Sequence, residues 1–132
     1  MKYKKYNRFK YNIWTAPLIY SCIIPLFIID IWITIYQKIC FRVYKIPVVN
    51  RSHYVRIDRH KLSYLSWHEK LHCAYCGYGN GVAAYLVKVI GDTEDYWCSI
   101  KHKKTNKKFY PPKHHDTFVE YGDKKAYEKL SK

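Results

Sequence analysis

From Ile13 to Tyr36 the chain carries about 24 almost wholly apolar residues, enough as a helix to cross a hydrocarbon layer of about 30 Å. No other feature constrains the fold as much. Of 132 residues, fewer than about 100 remain once this run and the basic N-terminus are set aside. A core of that size is marginal, and chains in this range commonly need a staple such as a metal ion. The expected fold is mainly α: an N-terminal membrane helix, kinked or re-entrant at Pro25, then a small helical hairpin stapled by a Cys3His metal site. The expected organisation is a basic N-terminus over 1–12, a membrane anchor helix over 13–40 and an extended juxtamembrane linker over 41–58. A helical metal-binding module over 59–104 and a basic, aromatic tail over 105–132 complete it.

The apolar run does not read as a cleaved signal peptide. It is too long, and no small-x-small site follows it. Pro17, Pro25 and Asp30 disturb a plain span. A mid-helix proline removes one backbone hydrogen bond and kinks the helix. A carboxylate in hydrocarbon costs several kcal/mol unless it is paired or hydrated. Basic residues flank both ends: Lys2, Lys4, Lys5, Arg8 and Lys10 before the run, and Lys38, Arg42, Lys45, Arg51 and Arg56 after it. The positive-inside tendency therefore wants both flanks in the cytoplasm. A helix that breaks at Pro25 and returns to the same face meets that demand and brings Asp30 near interfacial water. In that one feature it resembles the broken membrane-entering helix of the small monotopic phosphoglycosyl transferases. The alternative is a kinked span with Asp30 buried against a partner protein.

Charge points to polyanions. Lys+Arg number 24 against Asp+Glu 10, a formal net charge of +14. A chain held at a bilayer meets lipid phosphate first, so anionic phospholipid is the leading partner and nucleic acid a weaker one. The 15 Tyr and four Trp suit head-group layers. Lys101, Lys103, Lys104, Lys107 and Lys108 form a second basic cluster. Cations there complement a helix C-terminus, but five in eight residues exceed what a cap requires.

The five cysteines are odd in number, which argues against a closed disulfide framework and for a reducing compartment. Cys73-x2-Cys76, 21 residues, and Cys98-x3-His102 make a Cys3His set, the closed tetrahedral type of structural zinc. Cys73 and Cys76 suit one tight turn; Cys98 and His102 lie at i, i+4 on one helical face. His72 and His68 are alternatives for the fourth ligand. His53, His60, His114 and His115 read as solvated surface residues. Zn2+ is the default ion, with Fe the alternative for thiolate-rich sites. An iron site would make the chain a rubredoxin-like electron-transfer subunit of a membrane complex, but the second half here is Cys-x3-His rather than a second Cys-x2-Cys.

Ser66-Trp67-His68-Glu69 is a capping-box pattern opening a helix. Gly77, Gly79 and Gly81 read as its stop or bend. A second helix is expected from Asn80, with Val82, Leu86, Val89 or Ile90, Thr93 and Trp97 on one face. Asp58 is a fair cap for a short turn before Ser66. Catalytic patterns are thin. Glu69 has a capping role, His68-Glu69-Lys70 lacks the second His of a metalloprotease helix, and the glycine-rich stretch lacks a P-loop Lys-Ser/Thr. A non-catalytic module docking lipid or a protein partner is the expectation.

His72-Cys73-Ala74-Tyr75-Cys76-Gly77-Tyr78-Gly79-Asn80-Gly81, with Tyr96-Trp97-Cys98-Ser99-Ile100-Lys101-His102, resembles a family of small, uncharacterised bacterial membrane-associated proteins. The likeness extends through Ile57-Asp58-Arg59 and Tyr121-Gly122-Asp123. It implies a bacterial inner-membrane setting with the metal module facing the cytoplasm, and it implies no particular activity.

Overall fold

A computed structural model describes residues 8–130, with side chains from Trp14 onward. The described chain is mainly helical: α1 Arg8–Ser21, α2 Ile23–Val43, α3 Trp67–Trp97 and α4 Lys124–Leu130, with short 3-10 turns at Arg51–His53, Arg59–Lys61 and Lys113–Thr117. It divides into two compact units, Met1–Val87 and Lys88–Lys132. The boundary falls inside α3, and so inside the stretch expected to be a single metal-binding module.

In the first unit, α1 and α2 form the apolar helix. Counted through Cys22, Trp14–Val43 is 30 residues, long and apolar enough to cross a membrane. The interruption comes one turn before Pro25, because the missing proline N–H leaves the Ser21 carbonyl without its helical partner. Cys22 keeps right-handed helical angles, and hydrogen bonds run on both sides of it, from Cys22 N–H to Ile19 O and from Leu26 N–H to Cys22 O. The helix is therefore interrupted for one residue before Pro25 and continues beyond it, and the re-entrant reversal expected there does not form.

The reversal comes later, at the end of α2. Lys45 adopts a left-handed φ of 57°, Ile46 N–H donates to Phe41 O at 2.8 Å, and Lys45 N–H donates to Arg42 O at 3.4 Å. This is the Schellman arrangement that ends many helices. The following segment then runs back along α2. Val49 N–H donates to Gln37 Oε1 at 3.0 Å, and Gln37 Nε2 returns a bond to Val49 O at 3.1 Å. Further on, Arg51 reaches Asp30. The stretch expected to lead away from the membrane surface instead covers one side of the apolar helix.

α3 opens with the expected capping box. Glu69 Oε2 accepts from Ser66 N–H at 3.0 Å and from Ser66 Oγ–H at 2.7 Å. Asp58 precedes the Arg59–Lys61 turn without a side-chain capping bond. The glycines of α3 do not stop it. A Cβ on Gly81 would sit 2.8 Å from Tyr54 O and from Val55 Cα, and one on Gly77 would sit 3.0 Å from Arg56 O. They are small so that the returning backbone can lie against the helix, the use made of glycine at close membrane-helix contacts. The hairpin turn anticipated at Gly77–Gly81 is replaced by one unbroken helix.

The second unit begins in the last turns of α3. That helix ends with Ser99 at φ 48°, where Cys98 N–H and Ser99 N–H both donate to Glu94 O. Ile100 then forms an isolated parallel bridge with Val119, the only β pairing among the described residues. Val119 N–H donates to Ser99 O at 2.9 Å and Lys101 N–H to Val119 O at 2.8 Å, which brings the chain after Phe118 back beside the end of α3. Phe118 and Val89 are buried in this unit. Asp123 Oδ1 caps α4 through Ala126 N–H at 2.9 Å.

Candidate metal centre

Two polar clusters stand out, one in each unit, and they differ in how completely their groups are paired. In the first, Asp30 accepts from Arg51 Nε at 2.7 Å and from Arg51 Nη2 at 2.5 Å; Tyr78 Oη adds a third bond at 2.9 Å. Gln37 bonds Val49 through both ends of its amide and also donates to Tyr85 Oη, which meets Thr34 Oγ1 at 3.3 Å. Asp30, Ile33, Gln37 and Phe41 form the buried stripe of α2, while Ile24, Phe27, Ile28, Ile31, Ile35 and Ile39 face outward. The apolar side is out and the carboxylate is in, the reverse of a water-soluble helix and the arrangement that hydrocarbon solvent favours. Asp30, expected to find interfacial water or a partner protein, finds Arg51 of its own chain.

The second cluster is built from Glu94 near the end of α3, His102 beyond the Ile100 bridge, and His114 and His115 on the Lys113–Thr117 turn. One ligand atom from each of Glu94, His102 and His115 lies within 4.8 Å of the others, a spacing that can hold a metal ion. Glu94 Oε2 accepts from His114 Nε2 at 2.8 Å and from His115 Nε2 at 3.0 Å. The bond from His114 holds the Glu94 carboxyl below the usual glutamate range; partial burial opposes this, and the His115 bond adds to it. His115 is 4% exposed and stacks on Phe118 at 4.9 Å. Its Nδ1 is buried with no hydrogen-bond partner. Leaving such a nitrogen unsatisfied costs about 1–3 kcal/mol, which a bound cation would relieve. His102 is exposed and approaches His115 ring to ring at 5.6 Å. Gly91 makes room for this cluster, since a Cβ there would lie 2.9 Å from His114 Nδ1.

Of the residues read as ligands, only His102 belongs to this group. Cys73 and Cys76 lie within α3 in the first unit, half-buried and exposed respectively, and Cys98 is exposed just past the end of α3. The Cys3His arrangement required the hairpin. α3 runs unbroken from Trp67 to Trp97, so that hairpin is not formed; Cys73 and Cys76 belong to the first unit, Cys98 and His102 to the second. His72 is instead bonded to Tyr20 Oη at 3.0 Å, and His68 lies 3.2 Å from Ser66 Oγ. His53 and His60 are exposed, as expected; His115 is buried and His114 half-buried, against expectation. Neighbouring histidines followed by an aromatic, His114-His115-x2-Phe118, were the available signal for the missed ligand.

The basic residues separate as well. Lys2, Lys4 and Lys5 lie outside the described residues, as do the side chains of Arg8 and Lys10. Lys101 Nζ bonds Glu120 Oε1 at 2.7 Å, with Lys104 Nζ 3.7 Å from Glu120 Oε2. Lys103, Lys107 and Lys108 are exposed, and Lys108 lies over the Tyr110 ring at 5.2 Å. No protein-family model, curated protein or solved structure matches the chain.

Proposed function

We propose that this chain is a membrane-attached, non-catalytic metal-binding module of the bacterial inner membrane, with zinc as its ion and anionic phospholipid as its first partner. The observation that carries the metal reading is that ligand atoms of Glu94, His102 and His115 lie within 4.8 Å of one another, while His115 also keeps a buried ring nitrogen without a hydrogen-bond partner. Two imidazoles and a carboxylate are a familiar zinc donor set. They offer no thiolate, which weighs against the rubredoxin-like iron alternative. An ion there would tie the end of α3 to the Lys113–Thr117 turn within a unit too small to build a large core, the role the sequence reading gave to a staple. The outward apolar stripe of α2 supports membrane attachment, and the lysines from Lys101 to Lys108 support contact with anionic head groups. The cytoplasmic orientation rests on the basic flanks of the apolar run.

Elemental analysis of the detergent-solubilised full chain tests the reading. The expected result is about one zinc per chain. That zinc should survive replacement of Cys73, Cys76 and Cys98 by serine and be lost in the His102→Ala/His115→Ala variant. Zinc that follows the cysteines and ignores the two histidines would overturn it.

A further inference from the structure

The proposed ion would not be fully enclosed. Three protein ligands leave a tetrahedral ion one position short, and His102, one of the three, is exposed. His102 and His115 also line a cavity of about 330 Å³. The same cavity is lined by Lys101, Lys103, Lys104 and Lys107. Its carboxylates are Asp116 and Glu120, and Glu120 is already bonded to Lys101. Among the described residues no carboxylate pairs with Lys103 or Lys107. The ammonium groups therefore outnumber the carboxylates before any ion is added. A divalent ion at Glu94 would raise the positive charge further. A cation site that opens on a lysine-lined cavity attracts a compact, multiply charged anion with several acceptor oxygens.

We propose that this cavity binds a phosphate group, with one phosphate oxygen taking the open position of the ion held by Glu94, His102 and His115 and the others taken by Lys103 and Lys107. The inference rests on the metal reading above and deepens it by naming the ligand. The phosphate is either a free ion or the phosphomonoester head group of a lipid; the chemistry is the same. The cavity is too small for an extended polyanion to enter, so nucleic acid is not the expected occupant.

The test uses the full chain in nanodiscs of phosphatidylcholine, with inorganic phosphate as the titrant and calorimetry as the readout. Zinc binding is measured first, by itself. The zinc-loaded chain should bind phosphate, and the zinc-free chain should bind it at least about tenfold more weakly, the loss expected for one strong charged contact. Lys103→Ala/Lys107→Ala should weaken phosphate binding by about tenfold while leaving zinc affinity unchanged. Nanodiscs containing phosphatidic acid separate the two sources. A head-group site would be filled already and show no heat with added phosphate; a free-phosphate site would titrate as before. Zinc binding without phosphate binding in phosphatidylcholine would overturn this inference and leave the metal reading intact. So would phosphate affinity indifferent to zinc or to the two lysines. Absence of zinc binding would overturn both.

Discussion

Asp30 and Glu94 are both carboxylates held by cationic or imidazole partners, yet they serve different ends. Around Asp30 every bond is returned within the chain: Arg51 gives two donors and Tyr78 a third, and nearby Gln37 uses both ends of its amide. Around Glu94 the bonding stops short, because His115 keeps a buried nitrogen without a partner and His102 stands exposed beside it. A saturated polar cluster on the inner face of an apolar helix fixes packing. An unsaturated one has capacity left for a ligand. On the function proposed, the difference separates structural from functional use of the same residue types.

The largest expected effect breaks the saturated cluster. Arg51→Ala leaves the Asp30 carboxylate buried with only Tyr78 to answer it. Unpairing a buried ion costs about 3–5 kcal/mol. Because the Arg51 side chain is 40% exposed, the lower end of that range is expected, as a fall in unfolding free energy in detergent. Adding Asp30→Asn should recover part of the loss. An Arg51→Ala chain as stable as the parent would show that the two clusters do not differ in the way described.

The glycines sharpen the contrast next. At Gly81 an added Cβ meets backbone at 2.8 Å, which cannot swing aside, so Gly81→Ala should cost about 1–2 kcal/mol after the gain in helix propensity is allowed for. At Gly91 it meets the His114 ring, a side chain that can move. There Gly91→Ala should be close to neutral in stability, because the clash and the propensity gain of about 1 kcal/mol oppose each other. The readout that should change is zinc affinity, as His114 is pushed away from Glu94.

In the proposed metal site, His114→Ala removes a partner of the Glu94 ligand rather than a ligand. Loss of such a partner lowers metal affinity by about 10–100-fold, so a reduction near tenfold with full stoichiometry is expected in a zinc titration. An unchanged affinity would detach His114 from the site.

The smallest effect is a pH dependence. Lys101 holds the exposed Glu120 carboxyl below its usual range, chiefly by the direct hydrogen bond. A depressed carboxylate stabilises the fold above its unfolded value, and that contribution is lost as pH falls through the folded one. The window therefore lies below the ordinary glutamate value of about 4.3. Lys101→Gln should flatten that part of the stability curve, measured by unfolding between pH 5 and the acid limit.

Much of the first unit was legible in sequence. The apolar run from Ile13 to Tyr36 marked a long apolar helix, found over Trp14–Val43, and Ser66 with Glu69 marked where α3 starts. Proline chemistry likewise accounts for the interruption of the helix before Pro25. What the residues could not disclose was what stands opposite them. The glycines of α3 carry the composition of a turn, and only the returning backbone of Tyr54–Arg56 explains them as contact points within a continuous helix. That continuity removes the hairpin on which the Cys3His reading relied. His115 and Glu94 are 21 residues apart in local motifs of no special character, and they meet where the Ile100–Val119 bridge folds the tail back to the end of α3. Local chemistry follows from neighbours in the chain, so helix starts, the interruption before Pro25 and the apolar helix could be read from the residues in order. A cluster such as Glu94, His102 and His115 depends on neighbours in space, and of the four residues read as ligands from the sequence it holds His102.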